Sequence, residues 1–232
     1  MNFDSFVLAA ATADLGDEPA ARPHADAVEF RMDLATDPLA ALDDYDGDLP
    51  IIATNRDPAE GGEAADDEAD RLAVVEAASA VDAVGAVDIE LSSLRASVGA
   101  DTAVTARDHG ASVVASVHDF EGTPAESRLT DLLAAAADYG DVGKLAVTAT
   151  DRGDALALLS ATHAATVRGD RVATMAMGEA GRHTRAVAPC YGSKIGYAPV
   201  DPAEATAPGQ YDLATLADLL DRLGARQRTT DR

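Results

Sequence analysis

Short apolar, β-branched runs alternate with helical patterns from one end of the chain to the other. Eight of these runs predict β-strands, because each is short and rich in residues that favour strands. The predicted strands lie near residues 3–11, 27–32, 51–55, 86–90, 112–117, 143–148, 171–177 and 193–197.

Between the predicted strands, apolar residues recur at the spacing of an amphipathic helix. The clearest helix is the last, where leucines from Leu213 to Leu223 fall on one face. The stretch between the first two strands is rich in Gly, Pro and charge, and we predict no helix there. The predicted helices lie near residues 38–43, 67–80, 94–108, 125–138, 154–168, 181–187 and 212–223.

Repeated strand–helix units predict a parallel sheet covered by helices. Eight strands favour a closed (β/α)8 TIM barrel, and a doubly wound open sheet is the alternative. The 232 residues fit one such α/β barrel, which commonly runs to about 200–250 residues. No linker or change of composition marks a second domain, so we expect one catalytic domain over residues 1–232. We expect its C-terminal tail to be disordered from about residue 225.

The charge balance is strongly acidic. The chain has 41 acidic and 18 basic residues, and its formal net charge is −23. A composition that is 47% apolar argues against intrinsic disorder. We therefore expect a folded protein with an acidic surface, as in halophiles, where molar salt shortens the Debye length to about 3 Å. Binding to nucleic acid is disfavoured, because no basic face is evident.

The sequence gives no sign of export or of membrane insertion. No charged start is followed by an apolar stretch, and no apolar run approaches the roughly 18 residues of a membrane span. Cys190 is the single cysteine, so no disulfide can form within the chain. We expect a cytoplasmic protein without membrane contact.

Lys144 is the most informative residue, because it lies in the predicted sixth strand among apolar neighbours. A buried ammonium is costly unless it is paired or neutral, and a neutral amine can form a Schiff base with a ketone. The alternatives are a lysine that reaches solvent from the strand end and a structural ion pair. A barrel gathers its chemistry at the C-terminal ends of its strands, so the other polar residues there are candidates for the same site.

His118 follows the predicted fifth strand and is a candidate general base and acid. A hydrogen-bonded core histidine is the alternative. Met175 and Met177, at the end of the seventh strand, either form a dry wall beside an amine or simply fill the core.

The second strand places Glu29, Arg31 and Asp33 on one side, because successive side chains of a strand alternate. Such polar groups inside a barrel indicate either a ligand site or an internal salt bridge.

Further charged residues follow the third, fourth and seventh strands. Arg56 is placed to meet a hydroxyl or carboxylate, or lies in a surface turn. Asp88 and Glu90 share a face, and we expect them to be ion-pair partners of Arg31 or Arg56. Arg185 is a candidate ligand for a substrate carboxylate through its planar fork. The loop over residues 199–211 is a candidate lid.

This constellation resembles type I 3-dehydroquinate dehydratase, over essentially the whole chain and in that family's order. The segments that carry the resemblance are Glu29-Phe30-Arg31-Met32-Asp33, residues 56–62, Ser116-Val117-His118-Asp119-Phe120, Gly143-Lys144, Met177-Gly178 with Arg185, and Ala207-Pro208-Gly209-Gln210.

The resemblance implies a TIM barrel that dehydrates 3-dehydroquinate to 3-dehydroshikimate without metal or cofactor, in the shikimate pathway to aromatic amino acids. It implies that Lys144 forms an imine with the C3 ketone. His118 would remove the C2 proton and then protonate the departing C1 hydroxyl, and Glu60 would orient His118. Arg185 would hold the substrate carboxylate.

The resemblance also assigns the remaining contacts. Glu29, Arg31, Arg56 and Gln210 would contact substrate hydroxyls or set their geometry. Thr206 stands where the family has a lid serine and keeps the hydroxyl. Members of the family are often dimers, so a homodimer is the candidate assembly, although the sequence itself shows no interface.

Three other functions are disfavoured. A class I aldolase acting on a sugar phosphate would need a phosphate cradle, and Glu179 is a poor neighbour for phosphate. A non-catalytic barrel that binds a small acid would not need both Lys144 and His118. A metal hydrolase is disfavoured, because the histidines lack the close ligand spacing of zinc motifs.

Overall fold

The computed structural model describes residues 1–65, 67–201, 203, 207 and 209–226. Eight strands follow one another along the chain, each separated from the next by helical segments. They are β1 Val7–Thr12, β2 Ala27–Arg31, β3 Ile51–Thr54, β4 Val84–Glu90, β5 Ser112–Asp119, β6 Val142–Thr148, β7 Val172–Met177 and β8 Ile195–Pro199.

The α-helices lie between and after these strands. They are α1 Glu18–Ala21, α2 Pro38–Asp43, α3 Glu68–Ser79, α4 Leu91–Leu94, α5 Ser97–Asp108, α6 Glu126–Tyr139, α7 Arg152–Arg168, α8 Gly178–Gly181, α9 Thr184–Val187 and α10 Leu213–Arg222. Short 3₁₀ turns cover Leu15–Asp17, Met32–Leu34, Pro58–Glu60 and Ala188–Tyr191.

All paired strands run parallel, in the order β7-β6-β5-β4-β3-β2-β1-β8. The two ends of this sheet meet at one bridge between Val172 and Ser193. The backbone N–H of Lys194 adds a hydrogen bond of 2.7 Å to the Val172 carbonyl there. The sheet is thus a nearly closed (β/α)8 barrel, and the predicted TIM barrel is confirmed.

The barrel interior has an apolar floor below a polar layer. The floor includes Ile52, Ala86, Val114 and Val142, together with Phe3 from the segment before β1. Two residues further along β4, β5 and β6, on the same side, stand polar residues instead of apolar ones. The outer faces of the strands pack apolar residues against the helices. Because side chains two residues apart on a strand point to the same side, the polar groups lie above the apolar floor, toward the C-terminal end of the barrel.

Some predicted boundaries differ from the structure. A helix is present between the first two strands, where we predicted none: Glu18–Ala21 forms α1, with Pro19 in its first turn, a position where its missing N–H costs little. The predicted helix over residues 94–108 begins at Ser97, because Ala96 is extended with φ −96° and ψ 158°, and Leu94 ends the separate helix α4. The predicted helix over residues 181–187 is likewise divided into α8 and α9.

The first strand begins at Val7 instead of residue 3, because Phe3 lies in the barrel floor and outside the sheet. At the other end, the described part of the chain closes with Arg226. Its side chain is buried and bonds to the His24 carbonyl and, at 2.6 Å, to the Asp26 carboxylate. Residues 227–232 lie outside the described residues.

Candidate active site

Lys144 extends from β6 into the polar layer and is 3% exposed. Its Nζ donates a hydrogen bond of 2.8 Å to Oδ2 of Asp88 and lies 3.7 Å from Oε1 of Glu29. The same nitrogen lies 4.4 Å from the ring centroid of Tyr197. A carboxylate pair and an aromatic face therefore surround the only lysine in the barrel interior.

Asp88 uses both carboxylate oxygens inside the barrel. Oδ1 accepts a 2.5 Å bond from the Ser116 hydroxyl, and Oδ2 also lies 3.4 Å from Nη2 of Arg56. Ser116 and Lys144 are direct partners in the β5–β6 register, which brings both donors to one acceptor. Although burial opposes ionisation, the Lys144 and Arg56 cations lower the pKa of Asp88.

His118 and Glu60 form a closely bonded pair. His118 lies two residues after Ser116 on β5, and Ser116 is the register partner of Lys144 on β6. Oε2 of Glu60 lies 2.9 Å from both the backbone N and the Nδ1 of His118. Glu60 ends a 3₁₀ turn after β3, where the Asp57 side chain caps the turn by accepting from the Ala59 N–H. This turn places a loop carboxylate against the end of β5.

The electrostatics of this pair favour a neutral imidazole. Burial, then the positive charges of Arg56, Lys144 and Arg31, lower the pKa of His118 well below 6.5. An Nη1 of Arg56 contacts both ring nitrogens of His118, so a guanidinium faces the ring directly. Burial, then the negative charge of Glu90, raises the pKa of Glu60 to about 8. A neutral His118 is a base that can accept a proton.

Arg56 is held by the carboxylates of β4. Its Nε lies 3.3 Å from Oε1 of Glu90, and its Nη2 lies 3.4 Å from Asp88. The prediction that Asp88 and Glu90 pair with Arg31 or Arg56 is thus confirmed for Arg56. Glu90 is itself fixed by a 2.7 Å bond from Arg71, a buried residue of α3 that sequence reasoning did not single out.

Arg31 pairs within its own strand end. It donates to both oxygens of Asp33, at 2.8 and 2.6 Å, which is the internal salt bridge considered for this strand. Glu29 accepts a 3.3 Å bond from the Thr54 hydroxyl. Arg31 and Glu29 both remain on the cavity wall.

Arg185, on α9, is a buried cation without a matching anion in the described part of the chain. It is 4% exposed, and its Nε and Nη2 have no hydrogen-bond partner among the described residues. Burial lowers its pKa to about 10, so the group stays cationic near neutral pH. A planar guanidinium with free donors on a cavity wall suits a carboxylate ligand.

One cavity brings these groups together at the C-terminal ends of the strands. It measures about 490 Å³ with its open mouth. Ala146, Met175 and Met177 supply apolar wall, which supports the dry-wall interpretation of the two methionines. The polar wall consists of Glu29, Arg31, Arg56, Glu60, His118, Lys144, Arg185, Tyr197 and Gln210.

The loop after β8 reaches this cavity through Ala207 and Gln210. Oε1 of Gln210 accepts a 3.2 Å bond from the Ala207 N–H. Gly209 approaches the backbone of Gly178 so closely that a Cβ on Gly209 would lie 2.6 Å from the Gly178 carbonyl oxygen. Thr206, the predicted lid hydroxyl, lies outside the described residues.

The sequence does not predict two of the contacts of Lys144. It predicts Tyr197 only as part of a strand, and Asp88 only as an ion-pair partner of Arg31 or Arg56. The inward alternation along β4 was a signal for Asp88, because it placed the carboxylate inside the barrel. Tyr197 gave no comparable signal, since an aromatic residue in a strand is usual core.

Two features are absent from the described residues. No group of three His, Cys, Asp or Glu side chains among them could hold a metal ion. Within the same residues, no helix is long and apolar enough to cross a membrane.

The sequence model of the family described as Type I 3-dehydroquinase matches residues 8–227. The chain belongs to the type I 3-dehydroquinase family. Members are hydro-lyases, so the chain is an enzyme of that class. A 3-dehydroquinate dehydratase from Haloarcula marismortui is 59% identical over 226 residues, covering 96% of this chain and 98% of the relative. One from Halobacterium salinarum is 56% identical over 223 residues, covering 95% and 98%.

The fold also closely matches a solved structure. The crystal structure of 3-dehydroquinate dehydratase from Geobacillus kaustophilus superposes with a TM-score of 0.83 at 28% identity. The match covers 97% of this chain and 93% of the other. The haloarchaeal relatives agree with the halophilic source expected from the acidic composition.

Proposed function

We propose that this enzyme dehydrates 3-dehydroquinate to 3-dehydroshikimate through an imine on Lys144, without metal or cofactor. The observation that carries the proposal is the meeting of three groups on one cavity wall: the amine of Lys144, the imidazole of His118 and the guanidinium of Arg185, whose Nε and Nη2 have no partner among the described residues. These are a nucleophile, a base and an anion ligand. The family membership supplies the substrate and the pathway.

The first chemical step joins the Lys144 nitrogen to the C3 carbonyl carbon and releases water. The resulting protonated imine withdraws electrons, so the proton on C2 becomes more acidic. Neutral His118 removes that proton, and the electron pair forms an enamine. The enamine then expels the C1 hydroxyl, which leaves as water after it takes the proton from His118. Water finally hydrolyses the product imine and restores Lys144.

The remaining wall groups position the substrate. Arg185 binds the substrate carboxylate, because its Nε and Nη2 lack a partner in the described residues. Glu60 holds the imidazole through Nδ1, and Nε2, which also contacts Nη1 of Arg56, is the nitrogen that transfers the proton. Glu29, Arg31, Arg56 and Gln210 contact substrate hydroxyls or fix their geometry, and Thr206 adds a lid hydroxyl. We extend the proposal to one catalytic domain, to a homodimer and to the cytoplasm as its place of work.

Reduction with borohydride in high salt tests the imine. The wild-type protein is mixed with 3-dehydroquinate, reduced and digested, and the peptides are mapped by mass. An adduct on the peptide that contains Lys144 is expected, and Lys144→Ala should carry none. His118→Ala should still form the adduct while turnover falls by roughly 10²- to 10⁴-fold.

Lys194 serves as the matched control, because it is the only other lysine in the sequence. Its side chain bonds to the Asp4 carbonyl at the outside of the barrel and should remain unmodified. An adduct in the Lys144→Ala protein would refute the lysine assignment. A folded wild-type protein that turns over 3-dehydroquinate without an adduct would refute the imine mechanism.

A further inference from the structure

Two kinds of group contact the nitrogen of Lys144. Asp88 attracts it through a carboxylate charge, and Tyr197 attracts it through the face of its ring. Tyr197 lies on β8, paired with Ala9 of β1, and is 4% exposed. Its ring centroid is 4.4 Å from Nζ of Lys144, within the range of a cation–π contact. No other aromatic ring in the described residues makes such a contact with a lysine.

The phenol is neutral, so the ring face carries the attraction. Burial, then the negative charges of Glu29 and Asp88, raises the pKa of Tyr197 well above 10. Its hydroxyl is buried and makes no hydrogen bond within the described residues. Among the described residues, the contact of Tyr197 with Lys144 is therefore made by the ring face and not by the hydroxyl.

We propose that Tyr197 is a positioning residue whose ring face holds the Lys144 nitrogen at the cavity wall during imine formation. This inference rests on the proposed function. An ammonium has three N–H donors, but a protonated imine has one, so its hydrogen bonding to Asp88 and Glu29 is reduced. The attraction to a ring face depends on charge and not on the number of donors, so it persists after the carbon–nitrogen bond forms.

The two lysines of the chain allow a direct test of the contact. With ¹³C-labelled lysine, the side-chain signals come only from Lys144 and Lys194. The methylene next to the Lys144 nitrogen should show an upfield ring-current shift in the wild type and in Tyr197→Phe. Tyr197→Leu should lose that shift. The Lys194 signal should not move in either variant.

The rate of imine formation tests the role. Wild type, Tyr197→Phe and Tyr197→Leu are mixed with 3-dehydroquinate, quenched with borohydride at successive times and weighed as intact protein. Tyr197→Leu should form the adduct about tenfold more slowly, and Tyr197→Phe should restore the rate to within about twofold. Tyr191→Leu, a change at an exposed tyrosine, should leave the rate at the wild-type value.

The outcomes separate the two proposals. A Tyr197→Leu protein that forms the adduct at the wild-type rate overturns the role of the ring, even if its melting temperature falls. A Tyr197→Phe protein as slow as Tyr197→Leu also overturns it, because the hydroxyl would then be the acting group. A wild-type protein without any adduct would instead refute the imine mechanism.

Discussion

Glu60 binds His118 twice through a single oxygen, at 2.9 Å from the backbone N and at 2.9 Å from Nδ1. The first contact fixes the loop carboxylate to the end of β5, and the second fixes the plane of the imidazole. Glu60 thus supports His118, the base of the proposed mechanism.

The raised pKa of Glu60 predicts a pH-dependent stability that Glu60→Gln should remove. The folded protein binds this proton up to about pH 8, whereas an ordinary carboxyl releases it at 4.5. Between these values the folded state holds more protons than the unfolded state, so stability falls as pH rises through the interval. Melting temperatures from pH 4.5 to 8 should fall more steeply for wild type than for Glu60→Gln. Parallel curves would contradict the prediction.

The carboxylates around Lys144 predict a stability cost that is separate from the loss of chemistry. Lys144→Met leaves Asp88 without its 2.8 Å partner in a buried site. We expect a loss of about 3 kcal/mol in the free energy of unfolding, measured with urea in high salt. Adding Asp88→Asn should recover most of that stability, while both proteins stay inactive. A double variant no more stable than Lys144→Met would show that the ion pair is not the cause.

Arg185 should contribute to substrate binding and little to folding. Its Nε and Nη2 lack acceptors among the described residues, so Arg185→Met breaks no bond at these atoms. KM for 3-dehydroquinate should rise roughly 10- to 100-fold, from the loss of a charge-assisted hydrogen-bonded contact. The free energy of unfolding should stay unchanged or rise. Arg168→Met, at an exposed ion pair with Asp170, is the control and should leave KM unchanged.

Gly61 links the Glu60 loop to the cavity wall. It has φ +78°, and a Cβ there would lie 2.7 Å from the ring of Phe120. Gly110 has φ +89°, but a Cβ there meets nothing within 4 Å. Both alanine variants should lose about 1 kcal/mol of stability from backbone strain. Only Gly61→Ala should also lower kcat, because Phe120 and Glu60 must move; equal kcat values would contradict this.

Local pattern was sufficient for the barrel and for much of its polar layer. The predicted strands placed His118 at the end of the fifth strand and Lys144 within the sixth, and parallel pairing brings these neighbouring strands together. The ion pairs of Arg56 followed from the same reasoning, because Asp88 and Glu90 share the inner face of β4.

Contacts across the barrel could not be predicted from the sequence. Lys144 and Asp88 are 56 residues apart, and the choice of Asp88 by the lysine depends on side-chain reach within the closed barrel. The contact with Tyr197 depends on closure between β8 and β1, which local pattern does not fix. The helix break at Ala96 also depends on packing, since a Cβ on Gly99 would lie 2.2 Å from the Ser93 carbonyl oxygen.

Several of the cations are buried, whereas the chain as a whole is acidic and its proposed substrate is an anion. Six of the 18 basic side chains are buried within the described part of the chain: Arg31, Arg56, Arg71, Lys144, Arg185 and Arg226. Four acidic side chains, Glu18, Glu29, Asp88 and Glu90, are buried as well, so the exterior keeps a net charge close to the −23 of the whole chain. An approaching carboxylate meets long-range repulsion before it meets Arg185. Salt at molar strength screens that repulsion beyond about 3 Å, so salt serves as an aid to diffusional encounter as well as to folding.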